Sequence, residues 1–174
     1  MKKSILSIIF LIPLSIITLA IYAMASDDIE GIVICATNNK TSYIPANVCE
    51  YYLFNFRLTG KDIEYIESRG GLNFPIAISD NAKRYELVKF FISKGVSVNK
   101  ASAIDGYPPI HSAIILNYPK IVTLLLNNGA DIHNKDNTQK LTPDEFVEFL
   151  LKKQPNIDRK PIKEIIDSYK KSNT

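Results

Sequence analysis

Histidine and cysteine are scarce in this chain, two of each among 174 residues, and the scarcity removes most metal and nucleophile chemistry at once. Neither His111 nor His133 sits in a pattern that catalysis needs. No glycine-rich phosphate loop, GxSxG elbow or HExxH pair occurs anywhere. Cys35 and Cys49 are not spaced as CxxC and have no nearby histidine, so a zinc site or redox motif has no support. A concentrated basic face is also missing. The formal net charge is +3, but residues 1–25 carry only Lys2 and Lys3 as charges. The 21 basic residues less these two leave 19 against 18 acidic ones. That balance gives no electrostatic case for nucleic acid. No enzyme activity and no cofactor or metal are expected.

What is present begins with an address. Lys2 and Lys3 precede an uncharged apolar run from Ile5 to Tyr22, and Ala23-Met24-Ala25 places small residues three and one before a cut. Ser26-Asp27-Asp28 then restores polarity, completing the three-part pattern of a secretory signal peptide. The alternative is an uncleaved membrane anchor, because the run approaches the ~18–20 residues that span a bilayer. Pro13 and the Ala-Met-Ala site favour cleavage, which would start a soluble mature chain at Ser26. In an oxidising compartment Cys35 and Cys49 can pair, closing a loop worth about 3 kcal/mol by chain entropy. Two buried free thiols, or a metal or redox pair, remain as the other readings of these two residues.

Hydrophobic residues make up 46% and charged residues 22%, the balance of a folded body. The folded part repeats itself. Pro109 opens a short helix with Ile110, Ala113 and Ile114 as its apolar stripe. Asn117-Tyr118-Pro119 breaks it, and Ile121, Val122, Leu124 and Leu125 stripe a second helix that Gly129 ends. A shift of 34 residues aligns Pro75 with Pro109, Glu86-Leu87-Val88 with Lys120-Ile121-Val122, and Gly95–Asn99 with Gly129–His133. Downstream, Thr142-Pro143 opens another pair whose second helix is expected over Pro161–Tyr169. Upstream, Lys61–Ile66 and Gly70-Gly71 look like the end of an earlier, degenerate unit, with little room for a loop before Pro75.

These residues closely resemble the ankyrin repeat. Pro108-Pro109-Ile110-His111 stands for the family's Thr-Pro-Leu-His turn, Ile121–Leu126 for its second helix, and Gly129–His133 for its closing loop. The resemblance covers roughly residues 47–170. It implies an all-α ankyrin-repeat solenoid of about three to four helix-turn-helix repeats with short β-hairpin fingers, to which the cysteine pair adds a disulfide-closed N-terminal segment that belongs to no repeat. The organisation expected is a signal peptide over 1–25, a capping segment over 26–46 and the repeats over 47–174. The usual Thr is Pro108 here, so no hydroxyl caps that helix, and the repeat at Pro75 lacks the His. His111 takes the family's place for stitching neighbouring repeats, and His133 reads as a loop residue. Asp144, Glu145 and Glu148 suit a helix start.

Family members bind proteins through finger tips and the exposed side of the first helices. Carried over, this points to Ser102, Ile104, Asp105 and Tyr107 on one finger and Asp136, Thr138, Gln139, Lys140 and Leu141 on the next. Asn81 and Ala82, then Ile115 and Leu116, are the first-helix contributors, while Phe149 and Leu150 at the matching place read as core. Ile104, Tyr107, Ile115, Leu116 and Leu141 are expected to form an apolar centre within a polar rim, the build of a protein hot spot. The layout of signal segment plus small ankyrin array resembles bacterial immunity proteins. That implies a periplasmic module that binds and inhibits a cognate secreted toxin, such as a type VI phospholipase effector. Two other readings are a periplasmic scaffold or stress-protection factor associated with catalase, and a secreted effector that binds host proteins. Each would require a protein partner, with the membrane involved only through an uncleaved signal segment.

Overall fold

The computed structural model describes residues 2–37, 43–78 and 81–172, with side chains from residue 13 onward except near the two gaps. The chain divides into two compact units, Met1–Arg57 and Leu58–Thr174.

In the first unit, α1 (Lys2–Ser26) runs into α2 (Ile29–Thr37), and α3 (Ala46–Phe56) packs against α2. The helices turn from α1 to α2 at Asp27-Asp28, where the Asp28 carboxylate accepts the Gly31 N–H at 2.7 Å. Ile29, Ile32 and Val33 of α2 and Cys49 and Leu53 of α3 are buried. Cys35 and Cys49 are joined by a disulfide, with 5.8 Å between Cα atoms, so the pairing expected from the sequence is present. Most of the intervening loop, residues 38–42, lies outside the described residues.

The second unit opens with α4 (Gly60–Ser68), started by a capping box between Thr59 and Asp62. Three helix pairs follow: α5 (Asn73–Ile78) with α6 (Asn81–Ser93), α7 (Pro109–Ile115) with α8 (Pro119–Asn127), and α9 (Pro143–Lys153) with α10 (Lys160–Ser172). The first helices pack in the order α5, α7, α9 and the second helices in the order α6, α8, α10, giving two stacked layers. The 34-residue period survives at the level of single bonds. After α8 the N–H of Gly129 bonds the Leu126 carbonyl and that of Ala130 bonds Leu125. After α6 the N–H groups of Gly95 and Val96 bond Ile92 and Phe91 in the same way. Both are Schellman caps, and the left-handed backbone they need is supplied by glycine, φ +95° at Gly95 and +86° at Gly129. Ile121, Val122, Leu124, Leu125 and Leu126 of α8 are all buried, each full burial contributing about 1.5–3 kcal/mol.

Three expectations need correction. Among the described residues there are no strands, so the fingers are not β-hairpins. Pro75 does not start its helix; α5 begins two residues earlier at Asn73, and Pro75 falls in the first turn, where its missing N–H has no partner to lose. Asn81 and Ala82 open α6, a second helix rather than a first one, and their side chains lie outside the described set. Between α4 and α5 there is no finger, only a tight turn closed by the Asn73 N–H on the Gly70 carbonyl.

Candidate functional site

Two loops, residues 97–108 and 131–142, project between successive pairs, and each is built around one buried polar side chain. Ser102 is buried, and its Oγ accepts the N–H groups of Ile104 and Asp105. One period later Asp136, also buried, accepts those of Thr138 and Gln139 and, through its other oxygen, Leu141. The same backbone bond recurs in each loop, Ser102 N–H to the Tyr107 carbonyl and Asp136 N–H to Leu141. The side chains therefore take the N–H groups that a strand ladder would use, which is why no hairpin forms. Burial raises the pKa of the Asp136 carboxyl, but the donors from Gln139, Leu141 and Thr138, helped by His111, outweigh that and hold it below the usual range.

The loops are laced to each other and to the helices beneath. Asn137 N–H bonds the Gly106 carbonyl at 3.0 Å, and the Thr138 hydroxyl bonds that of Asp105 at 3.2 Å. The final carbonyl of each finger meets a side chain of the preceding helix pair: Asn73 Nδ2 reaches Tyr107 and His111 Nε2 reaches Leu141, both at 2.9 Å. Asn73 thus does for its repeat what the absent histidine does elsewhere. His111 is fully buried with its ring edge-on to Phe146, 5.1 Å between centroids. Desolvation lowers its pKa, against the pull of the Leu141 carbonyl and Asp136. Its Nδ1 is buried without a hydrogen-bond partner.

The predicted site residues separate into three groups. Ser102 and Asp136 are turn-builders with no exposed surface to offer. Ile104 (73% exposed), Asp105, Gln139 and Lys140 are exposed on the two loops, with Tyr107 and Leu141 half-buried beside them. Tyr107 leans on Phe146, 5.7 Å between ring centroids. Ile115 and Leu116 lie at the far end of α7, about 10 Å from the fingers by helical rise. The expected apolar centre therefore does not include them. Their neighbour is Arg159, buried in the connection between α9 and α10. Its Nε donates to the Ile114 carbonyl at 3.2 Å, and its Nη2 to Ile115 at 3.0 Å and to Gln154 at 2.8 Å. This guanidinium closes the C-terminus of α7 from 45 residues downstream, and burial lowers its pKa. Sequence reasoning missed both Asn73 and Arg159; for Asn73 the missing histidine was the available signal.

At the C-terminal end Lys163 of α10 pairs with Asp144 and Glu148 of α9 and with Asp167, while Lys170 holds Asp144 at 2.7 Å. The acidic start of α9 is thus engaged by the neighbouring helix. Among the described residues no group of three His, Cys, Asp or Glu side chains could hold a metal ion.

Stacked helix pairs with laced, outward-facing loops define a quasi-one-dimensional repeat module. The sequence matches the family described as ankyrin repeats (3 copies) over residues 46–136, more than half of the chain, and the chain belongs to the ankyrin-repeat family. That family is typically a non-enzymatic protein-interaction module, so protein partners are implied in general. No characterised protein is similar enough in sequence to match it. The pair α9/α10 lies beyond the matched residues but continues the two layers.

Proposed function

We propose that the chain is an exported protein-binding module that acts as an immunity protein, gripping a cognate secreted toxin through its finger edge. The observation that carries the binding half is that Ile104, Asp105, Gln139 and Lys140 stand exposed, with Tyr107 and Leu141 half-buried, on loops fixed by buried polar anchors. Such a surface needs no ordering when a partner arrives, which favours tight association. The export half rests on the N-terminal pattern and on a disulfide, which persists in oxidising compartments. The toxin half rests on the likeness of layout.

The test is co-expression with the toxin encoded nearest the gene, scored by survival, alongside recovery of the complex from the periplasm. Protection and a stable complex are expected, and Ile104→Arg abolishes both while leaving the melting temperature unchanged. No protection and no complex would sink the immunity reading. A large loss of stability in Ile104→Arg would mark Ile104 as a packing residue instead.

A further inference from the structure

The end of α1 is built into the folded first unit rather than hanging from it. Met24 is 4% exposed. It lines a cavity of about 240 Å³ together with Ile32, Cys35, Ile44 and Cys49, the walls that the disulfide holds. The Arg57 guanidinium at the end of α3 donates to the carbonyls of Met24 and Asp27, both at 3.1 Å. Across the Ala25–Ser26 bond the backbone is helical, with Asp27 N–H on the Ala23 carbonyl at 3.1 Å and the Ser26 hydroxyl on the same carbonyl. Loss of residues 1–25 would take Met24 from the core and its carbonyl from the Arg57 guanidinium. It would also open the apolar wall beneath the Cys35–Cys49 bond.

The same helix is unpartnered further up. Leu14, Ile16, Ile17, Leu19, Ile21 and Tyr22 are each more than half exposed. Positions 14, 16, 17, 19, 21 and 22 go all the way round a helix, which is the pattern of a segment immersed in apolar surroundings and not of one docked by a single face. Among the described residues no helix is long and apolar enough to cross a membrane, but the sequence extends the uncharged apolar run back to Ile5 and ends it with Lys2-Lys3. A proline inside such a helix, Pro13, is tolerated in membranes. The lysine pair before the apolar run orients the helix with its N-terminal end inside and the folded units outside.

We infer that α1 is retained and holds the protein to a lipid bilayer, Met24 and Arg57 being the joint between anchor and folded unit. Its orientation, with the folded units outside, rests on the export reading above, and the two fail differently.

The experiment is intact-mass measurement of the full chain expressed in bacteria, after membranes are separated and washed with salt and then alkaline carbonate. Thiols are alkylated before any reduction. The expected result is the 19.6 kDa chain, in the washed membrane pellet, with Cys35 and Cys49 protected from alkylation. A soluble chain starting at Ser26 overturns the anchor, and so does a full-length chain released by salt, which would mean a protein covers α1. A full-length, carbonate-resistant chain with alkylated thiols supports the anchor and overturns export.

Discussion

Lys140 has a backbone φ of +59°, the left-handed region, at the place where the preceding finger uses Gly106 at +75°. A side chain in that region costs about 1–2 kcal/mol, part of which glycine returns through a freer unfolded chain. Lys140→Gly is expected to raise stability by up to about 1 kcal/mol in urea denaturation, and an unchanged midpoint would show that the finger carries no strain there. Acid should act on two neighbouring groups. His111 and Asp136 both bind protons more weakly when folded, so the unfolded chain takes up protons first and stability falls with pH. For His111 the loss begins below its unfolded value of 6.5 and continues to its lower folded value. For Asp136 it begins below 3.8. The melting temperature is expected to drop between roughly pH 7 and pH 5, and His111→Gln to flatten that window. A variant with the same slope as the parent would assign it to other groups.

At the scale of helices and loops, α8 is the centre of the second layer, between α6 and α10. Leu125 is fully buried there, and Leu125→Ala should cost ~2–5 kcal/mol, measured by chemical denaturation. A cost under 1 kcal/mol would mean the layer closes over the gap. In the first unit, reduction of the Cys35–Cys49 bond, 14 residues apart, should remove about 3 kcal/mol. Unchanged melting under reductant would deny the bond a stabilising role. The helices with punctuation at both ends were legible in the sequence, because Pro109, Asn117–Pro119 and Gly129 act on their own backbone. The fingers were misread because hairpins were assumed where Ser102 and Asp136 compete for the N–H groups. Arg159 was not legible at all: the carbonyls it caps lie on α7, and no local pattern announces a cap that arrives from so far along the chain. The same blindness placed Ile115 and Leu116 beside Tyr107, since shared membership of α7 says nothing about which end a partner meets.

At the scale of the whole molecule, the layered order α5, α7, α9 over α6, α8, α10 makes the second unit a row in which each pair packs against the next. Binding energy is then expected to concentrate on whichever fingers a partner spans. Tyr107→Ala should weaken the complex by 2 kcal/mol or more, roughly a thirtyfold rise in Kd, if it is a central contact. The same change should touch stability only through its lean on Phe146, and calorimetry with and without partner separates the two.

The missing projection between α4 and α5 gives that row a direction. Two ridges stand at one side, after α6 and after α8, whereas the turn at Gly70-Gly71 leaves a smooth shoulder. Anything laid along it meets a different profile head-first than tail-first. The shape alone thus selects one polarity of docking before any charge or pocket is consulted.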